Sequence, residues 1–310
     1  MNTIRRILLI VDGQSESDSL LSEIVSISTA MQTHVTLLGI QETPAHHSEQ
    51  VDEQQLYQWI KKDRQEQLVS IASTLEESGI QVSCHQLSGK PWLEIIHFAN
   101  QGQYDLIIKP ADNETGFKNI LFGSTDMQLF RMSPHPIWVF KPTPNRNLKN
   151  LALAVDLLPY DDERNSLADK ILLWGKQISD IAGSHIHVVH TWKLFGELTL
   201  RGRTISSNTV DKLVREEEKK QQLLLSEAIQ RNGLEADRVT IHFRKGDAKK
   251  LIPEIVSTEN IDLLVMGTVS RTGIPGLFIG NTAETVLRQV DCSVLAVKPD
   301  NFSSPVEDGR

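Results

Sequence analysis

A constant offset of 157 residues carries one long stretch of this chain onto another. Gly89 falls on Gly246, Asp105-Leu106 on Asp262-Leu263, Thr115-Gly116 on Thr272-Gly273, Gly123 on Gly280, and Lys141-Pro142 on Lys298-Pro299. About 11 of the 54 positions from Gly89 to Pro142 are identical without a gap, well above the few expected by chance. Solenoid repeats have periods of roughly 20–50 residues, so a repeat this long is a duplicated domain. The 310 residues give each copy enough length to bury its own core. The expected division is a first domain over 1–142, a polar linker over 143–149, a second domain over 150–300 and a loosely held tail over 301–310.

Within the second copy, short apolar runs alternate with helical patterns. Leu151 to Asp156, His185 to Trp192, Val239 to Arg244, Asp262 to Met266 and Ser293 to Val297 read as strands. Asn165 to Ala182, Val210 to Arg231, Lys249 to Thr258 and Thr282 to Gln289 read as helices, and a polar loop with Gly196, Gly202 and Asn208 precedes the second of them. The first copy keeps this order in Ile7 to Asp12, Val35 to Ile40, Val51 to Glu77 and Leu106 to Ile108. Such alternation predicts parallel βαβ units with helices on both faces, that is, two tandem doubly wound α/β domains of five strands each. Uninterrupted apolar strands such as Leu263-Leu264-Val265-Met266 suit a sheet covered on both sides. In such sheets ligands bind beyond the carboxyl ends of the strands. The apolar runs Pro136 to Phe140 and Ser293 to Val297 suit pairing of the two copies through their fifth strands as a pseudo-twofold dimer.

Charge and composition exclude several classes. A net charge of −8 with interspersed signs offers no broad footprint for nucleic acid or anionic membranes. No apolar run approaches the roughly 18 residues of a membrane span, and Met1 to Asp12 has too short an apolar core for a signal peptide, so a cytoplasmic location is expected. Cys84 and Cys292, one per copy and without a CxxC, are expected to be buried apolar residues. His185 and His187 share one strand face while His190 points to the other, so no metal site is expected from these three.

After the fourth strand of the second copy, Gly267-Thr268-Val269-Ser270, nine residues and Gly280-Asn281-Thr282 follow the spacing G-x2-G-x9-G-[ST]. With Asp156 closing the first strand, the chain resembles the universal stress protein family over nearly all of both halves. The segments Gly280 to Glu284 (GNTAE) and Lys298 to Glu307 (KPDNFSSPVE) resemble its tandem E type. The resemblance implies a cytoplasmic stress-response protein made under starvation, growth arrest or DNA-damaging conditions, often a homodimer, and in some branches binding ATP. Carried onto this chain, it implies nucleotide contacts from Asp156, Thr191, Gly267, Ser270, Gly280, Asn281 and Thr282.

Two departures weaken that implication. Ser270 stands where the motif has a glycine, so a Cβ resists positive φ and crowds a phosphate. Asn281 holds the last motif position, with Thr282 one step later. In the first copy the carboxylate is kept as Asp12, but the loop positions become Pro110, Asn113, Gly123 and Ser124, and Pro110 has no N–H to offer. The first copy is therefore expected to be degenerate for ATP and to serve as a pseudo-dimer partner. No acidic residue lies between Thr268 and Ile279, where hydrolysis would need a metal-binding carboxylate, so the expectation is a non-enzyme with at most weak ATP hydrolysis.

Overall fold

Strands of consecutive Leu, Ile and Val have two apolar faces and need helices on each. The computed structural model, which describes residues 4–12, 18–42, 51–112, 122–142, 148–202, 206–269 and 279–306, supplies them. The first half runs β1 (Arg6–Val11), α1 (Asp18–Met31), β2 (His34–Glu42), α2 (Val51–Glu77), β3 (Gln81–Gly89), α3 (Pro91–Gly102), β4 (Leu106–Pro110), α4 (Ser124–Met132) and β5 (Ile137–Phe140). The second runs β6 (Asn150–Val155), α5 (Asp162–Ala182), β7 (His185–Trp192), α6 (Glu197–Arg201), α7 (Ser207–Arg231), a 3-10 turn at Ala236–Arg238, β8 (Val239–Lys245), α8 (Ala248–Thr258), β9 (Leu263–Gly267), α9 (Asn281–Leu287) and β10 (Ser293–Val297). The sequence predicts only a polar loop between β7 and α7. There the chain instead makes the short α6, entered through Gly196 at φ 71° and held by Glu197, which bonds Arg201 and Lys245.

Each half has its strands in the order 3-2-1-4-5, all parallel, as a doubly wound domain requires. The halves do not form separate sheets. β5 pairs antiparallel with β10, giving one ten-stranded sheet in the order β3-β2-β1-β4-β5-β10-β9-β6-β7-β8. Trp138 lies opposite Leu295, and these two are equivalent under the 157-residue offset. The pseudo-twofold axis therefore passes between them.

Because strand side chains alternate, β5 and β10 feed two cores at once. Trp138, Phe140, Leu295 and Val297 enter the core beneath α1, α2, α5 and α7, whereas Ile137, Val139, Val294 and Ala296 enter the one on the opposite face. Each core runs through both halves.

Several residues identical in both copies have structural jobs. Asp105 Oδ2 accepts the backbone N–H groups of Arg5 and Arg6, and Asp262 Oδ2 those of Lys149 and Asn150, so each carboxylate fixes the start of a central strand. Gly89 and Gly246 sit at φ 156° and 153°, tight against Glu94 and Leu251, where a Cβ has no room. Lys141 and Lys298 cross the axis in opposite directions. The Lys141 ammonium donates to Val290 O at 3.0 Å, three residues beyond α9, and the Lys298 ammonium to Phe130 O at 2.7 Å, in the last turn of α4, each reaching a carbonyl of the other half. Thr268 Oγ1 donates to the same Phe130 O at 2.9 Å.

The segment after β10 is expected to be loose, but it is tied down as far as Val306. Asp300 pairs with Lys170, Phe302 lies under the Lys298 ammonium at 4.6 Å, Ser304 Oγ donates to Met132 O at 2.8 Å, and Val306 packs on the core. These contacts reach the first half, which a reading of the tail alone does not anticipate.

Candidate functional site

The predicted residues of the second half stand at or just beyond the carboxyl ends of the neighbouring strands β9, β6 and β7 and at the start of α9. Asp156 directly follows β6, Thr191 is the penultimate residue of β7, and Gly267 ends β9. Gly280 precedes α9, whose first two residues are Asn281 and Thr282. Ser270 lies outside the described residues. The stems of its loop are clamped, since Val269 and Ile279 form an antiparallel bridge and the Gly280 N–H donates to Thr268 O at 3.0 Å. In the first turn of α9 the N–H groups of Asn281 and Thr282 have no carbonyl within the helix to donate to, as at any helix start.

Two details bear on the individual residues. A Cβ on Gly267 would stand 2.8 Å from Leu167 Cδ2 of α5, so a larger residue there would have to displace that leucine methyl. The Asp156 carboxylate faces Arg164 at 3.6 Å, in the first turn of α5, while Asp161 holds the same guanidinium at 2.9 Å. Sequence reading passed over Arg164. Its signal was the D-x-x-R spacing at a helix start, which on a helix puts Asp161 and Arg164 on one face. Beneath Thr191, His190 is buried, with Nδ1 at 3.2 Å from Val155 O and Nε2 at 2.9 Å from Gln221 Oε1.

The corresponding corner of the first half is built otherwise. Asp12 follows β1, Pro110 ends β4, Gly123 is the N-cap of α4 and Ser124 its first residue; Asn113 lies outside the described residues. Asp126, fully buried, accepts the Gly123 N–H at 3.0 Å and the Asp112 N–H at 3.1 Å through Oδ2. Its Oδ1 takes the Lys109 ammonium at 2.9 Å, and Lys109 also bonds Asp112. Burial pushes the Asp126 carboxyl up against the pull of Lys109. Lys109 itself loses charge stability by burial but is held above its ordinary value by Asp126 and Asp112. A carboxylate of the chain itself thus occupies the amides at this loop. In the second half the equivalent positions are Met266, Val269 and Ala283, which carry no charge.

Cys292 is buried and its thiol is pushed up to about 12 by that burial, but Cys84 is exposed, contrary to expectation. The reason is topological: Cys84 sits on β3, an edge of the sheet, which α2 only partly covers. A concavity of about 360 Å³ lies between α5 and α7, with Asp162, Asp169 and Glu227 in its lining and Asp169 salt-bridged to Arg231 at 2.7 Å. Its acidic wall does not suit a phosphate.

At the other end of β7, His185 and His187 share a face and His190 points away from it. His185 Nε2 meets Thr240 Oγ1 at 2.8 Å, a pair repeated in the first half by His34 and Ser83 at 2.9 Å. His187 Nδ1 lies 3.0 Å from His242 Nε2 on β8, the rings stacked with centroids 5.2 Å apart. Burial, with His242 and His185 beside it, pushes His187 down to about 4, and burial lowers His242 as well.

The model of the universal stress protein family matches residues 3–141 and again 156–298. Among curated relatives, universal stress protein E of Salmonella typhi is 29% identical over 219 residues, 70% of this chain and 68% of the relative. Universal stress protein E of Photorhabdus laumondii is 25% identical over 234 residues, 74% and 73% of the two chains. Among solved structures, a protein of unknown function from Pseudomonas aeruginosa PAO1 superposes with a TM-score of 0.74 at 24% identity, covering 96% of this chain and 94% of that one. A universal stress protein from Archaeoglobus fulgidus superposes with a TM-score of 0.66 at 21% identity, covering 96% and 99%. These structural likenesses speak for the fold of the whole chain, both halves included.

Proposed function

Since the chain belongs to the universal stress protein family, carrying two of its domains in tandem and similar to universal stress protein E, we propose that it is a cytoplasmic stress-response protein whose second domain binds a nucleotide, ATP foremost, while the first serves as its structural partner. The observation that carries this reading is the asymmetry of the two loops. In the first domain Asp126 fills the anion position and Lys109 neutralises it. In the second, Met266, Val269 and Ala283 leave the start of α9 without a competing carboxylate from these positions, and its first-turn amides favour an anion. Asp156 and Thr191 stand on the strand ends where a ribose and base would lie.

The domain acts as a binder rather than a hydrolase. No carboxylate occurs between Thr268 and Ile279 to hold a metal ion or orient a water, so a slow ATPase is the second reading and binding the first. Calorimetry with ATP on the full chain tests it. Wild type is expected to bind with a Kd on the order of millimolar, and Ser270→Gly to bind about tenfold tighter. Asp12→Ala, at the equivalent strand end of the first domain, is expected to change neither. No heat from either wild type or Ser270→Gly, or loss of binding in Asp12→Ala, would overturn the assignment.

A further inference from the structure

The two copies build the amino-terminal corner of their outer strands from equivalent positions, and the comparison isolates three residues. The pairs His34–Ser83 and His185–Thr240 are equivalent, so Thr36 corresponds to His187; under the 157-residue offset, His85 corresponds to His242 and Gly102 to Glu259. The first half thus folds this corner with Thr36, His85 and Gly102. A His, His, Glu set is not something the fold demands.

Three elements bring that set together. On parallel strands, His187 pairs in register with Thr240 and Val189 with His242, so the two imidazoles sit diagonally on one sheet face. α8 packs on that face and runs back along the strands, and Glu259 is its C-cap, delivered to the amino end of β7 and β8. The donor atoms of His187, His242 and Glu259 all lie within 4.8 Å of one another, with His187 buried and the other two half-buried. A tetrahedral zinc ion, bonded at roughly 2.0–2.2 Å, holds its donors about 3.3–3.6 Å apart. The imidazole pair at 3.0 Å is already near that spacing, and a side-chain rotation of Glu259 at the end of its helix closes the remaining distance.

We propose that His187, His242 and Glu259 form a site for one divalent transition-metal ion, zinc in the first place, in the second domain. Two imidazole nitrogens and one carboxylate oxygen suit zinc and disfavour calcium and magnesium, which take oxygen sets. Three protein ligands leave the fourth position to water. On binding, the ring whose N–H spans the gap between His187 Nδ1 and His242 Nε2 changes tautomer through solvent, its proton moving to that ring's other nitrogen, so that both imidazoles stay neutral and both facing nitrogens turn to the ion. The ion then ties the edge strand β8 to β7 and to the end of α8. The site is separate from the proposed nucleotide site, which lies at the opposite ends of the same strands.

The test uses untagged full-length protein dialysed free of metal. Titration with Co2+ is expected to raise visible d–d absorption of tetrahedral type saturating at one ion per chain, and Zn2+ is expected to displace it. His242→Gln and Glu259→Gln are each expected to weaken Zn2+ binding by roughly 100-fold, while His85→Gln and His185→Gln change it less than about threefold. Melting of the metal-free variants reports whether each is folded, and both exchanged ligands are near the surface, so folding is expected. A featureless Co2+ titration of the wild type overturns the proposal. So does Zn2+ affinity unchanged in folded His242→Gln and Glu259→Gln, which would assign the ion to other surface histidines.

Discussion

At the scale of single residues, the two lysines that cross the pseudo-twofold axis set a measurable pH dependence. Burial pushes Lys298 down to about 7, and burial chiefly pushes Lys141 to about 8, with Cys292 and nearby carboxylates pulling it back. An unfolded chain keeps both ammonium groups protonated up to their ordinary value of 10.5. Between about 7 and 10, therefore, the unfolded state binds more protons than the folded one, and folding stability rises with pH in that window. Below it both states are charged and the cost of burying the charge is constant. Lys298→Met removes the Lys298 share of this dependence and leaves that of Lys141. In urea unfolding across that range, wild type is expected to gain on the variant by up to about 1.4 kcal/mol per pH unit. Parallel stability curves would show that the Lys298 ammonium keeps its proton in the fold. Hydropathy could not place these lysines inside, because what makes burial tolerable is a pair of backbone carbonyls belonging to the other half, about 150–170 residues away in sequence.

At the scale of elements, the junction of β5 and β10 concentrates the energetics. Trp138 is 1% exposed and stands on the axis, so Trp138→Ala opens a cavity shared by both halves. The expected loss is about 3–5 kcal/mol, with hydrogen exchange accelerated in β4 and β9 alike. Protection lost in β4 alone would mean that the halves are energetically separate. Strands and helices of this region were readable because their signals are local: Ser293 to Val297 is an apolar run and His185 to Trp192 is rich in β-branched residues, and the predicted bounds of both match the observed strands. The ends of the loop between β9 and α9 were readable from glycine spacing, as Gly267 and Gly280. What escaped were features made by contacts distant in sequence. Cys84 is exposed because β3 has no outer neighbour, Arg164 matters because Asp156 folds back to it, and the tail is held by Met132. His187 and His242, 55 residues apart, meet only once β7 and β8 are in register.

At the scale of the whole molecule, two hydrophobic cores run the length of one sheet and leave β3 and β8 as its only edges among the described residues. Neither half can open without exposing part of a core shared with the other. Calorimetric unfolding is expected to be a single transition whose calorimetric and van't Hoff enthalpies agree, and two resolved transitions would contradict it. The β5–β10 pairing has one more consequence, because both partners belong to one polypeptide joined through residues 143–149. A pair of separate chains meeting this way would come apart on dilution, since its melting temperature would follow protein concentration. Here the partner's local concentration is set by a short tether and never falls. The melting temperature is accordingly expected to stay constant across a hundredfold range of dilution, so the protein keeps its paired form even when the cell makes only a few copies.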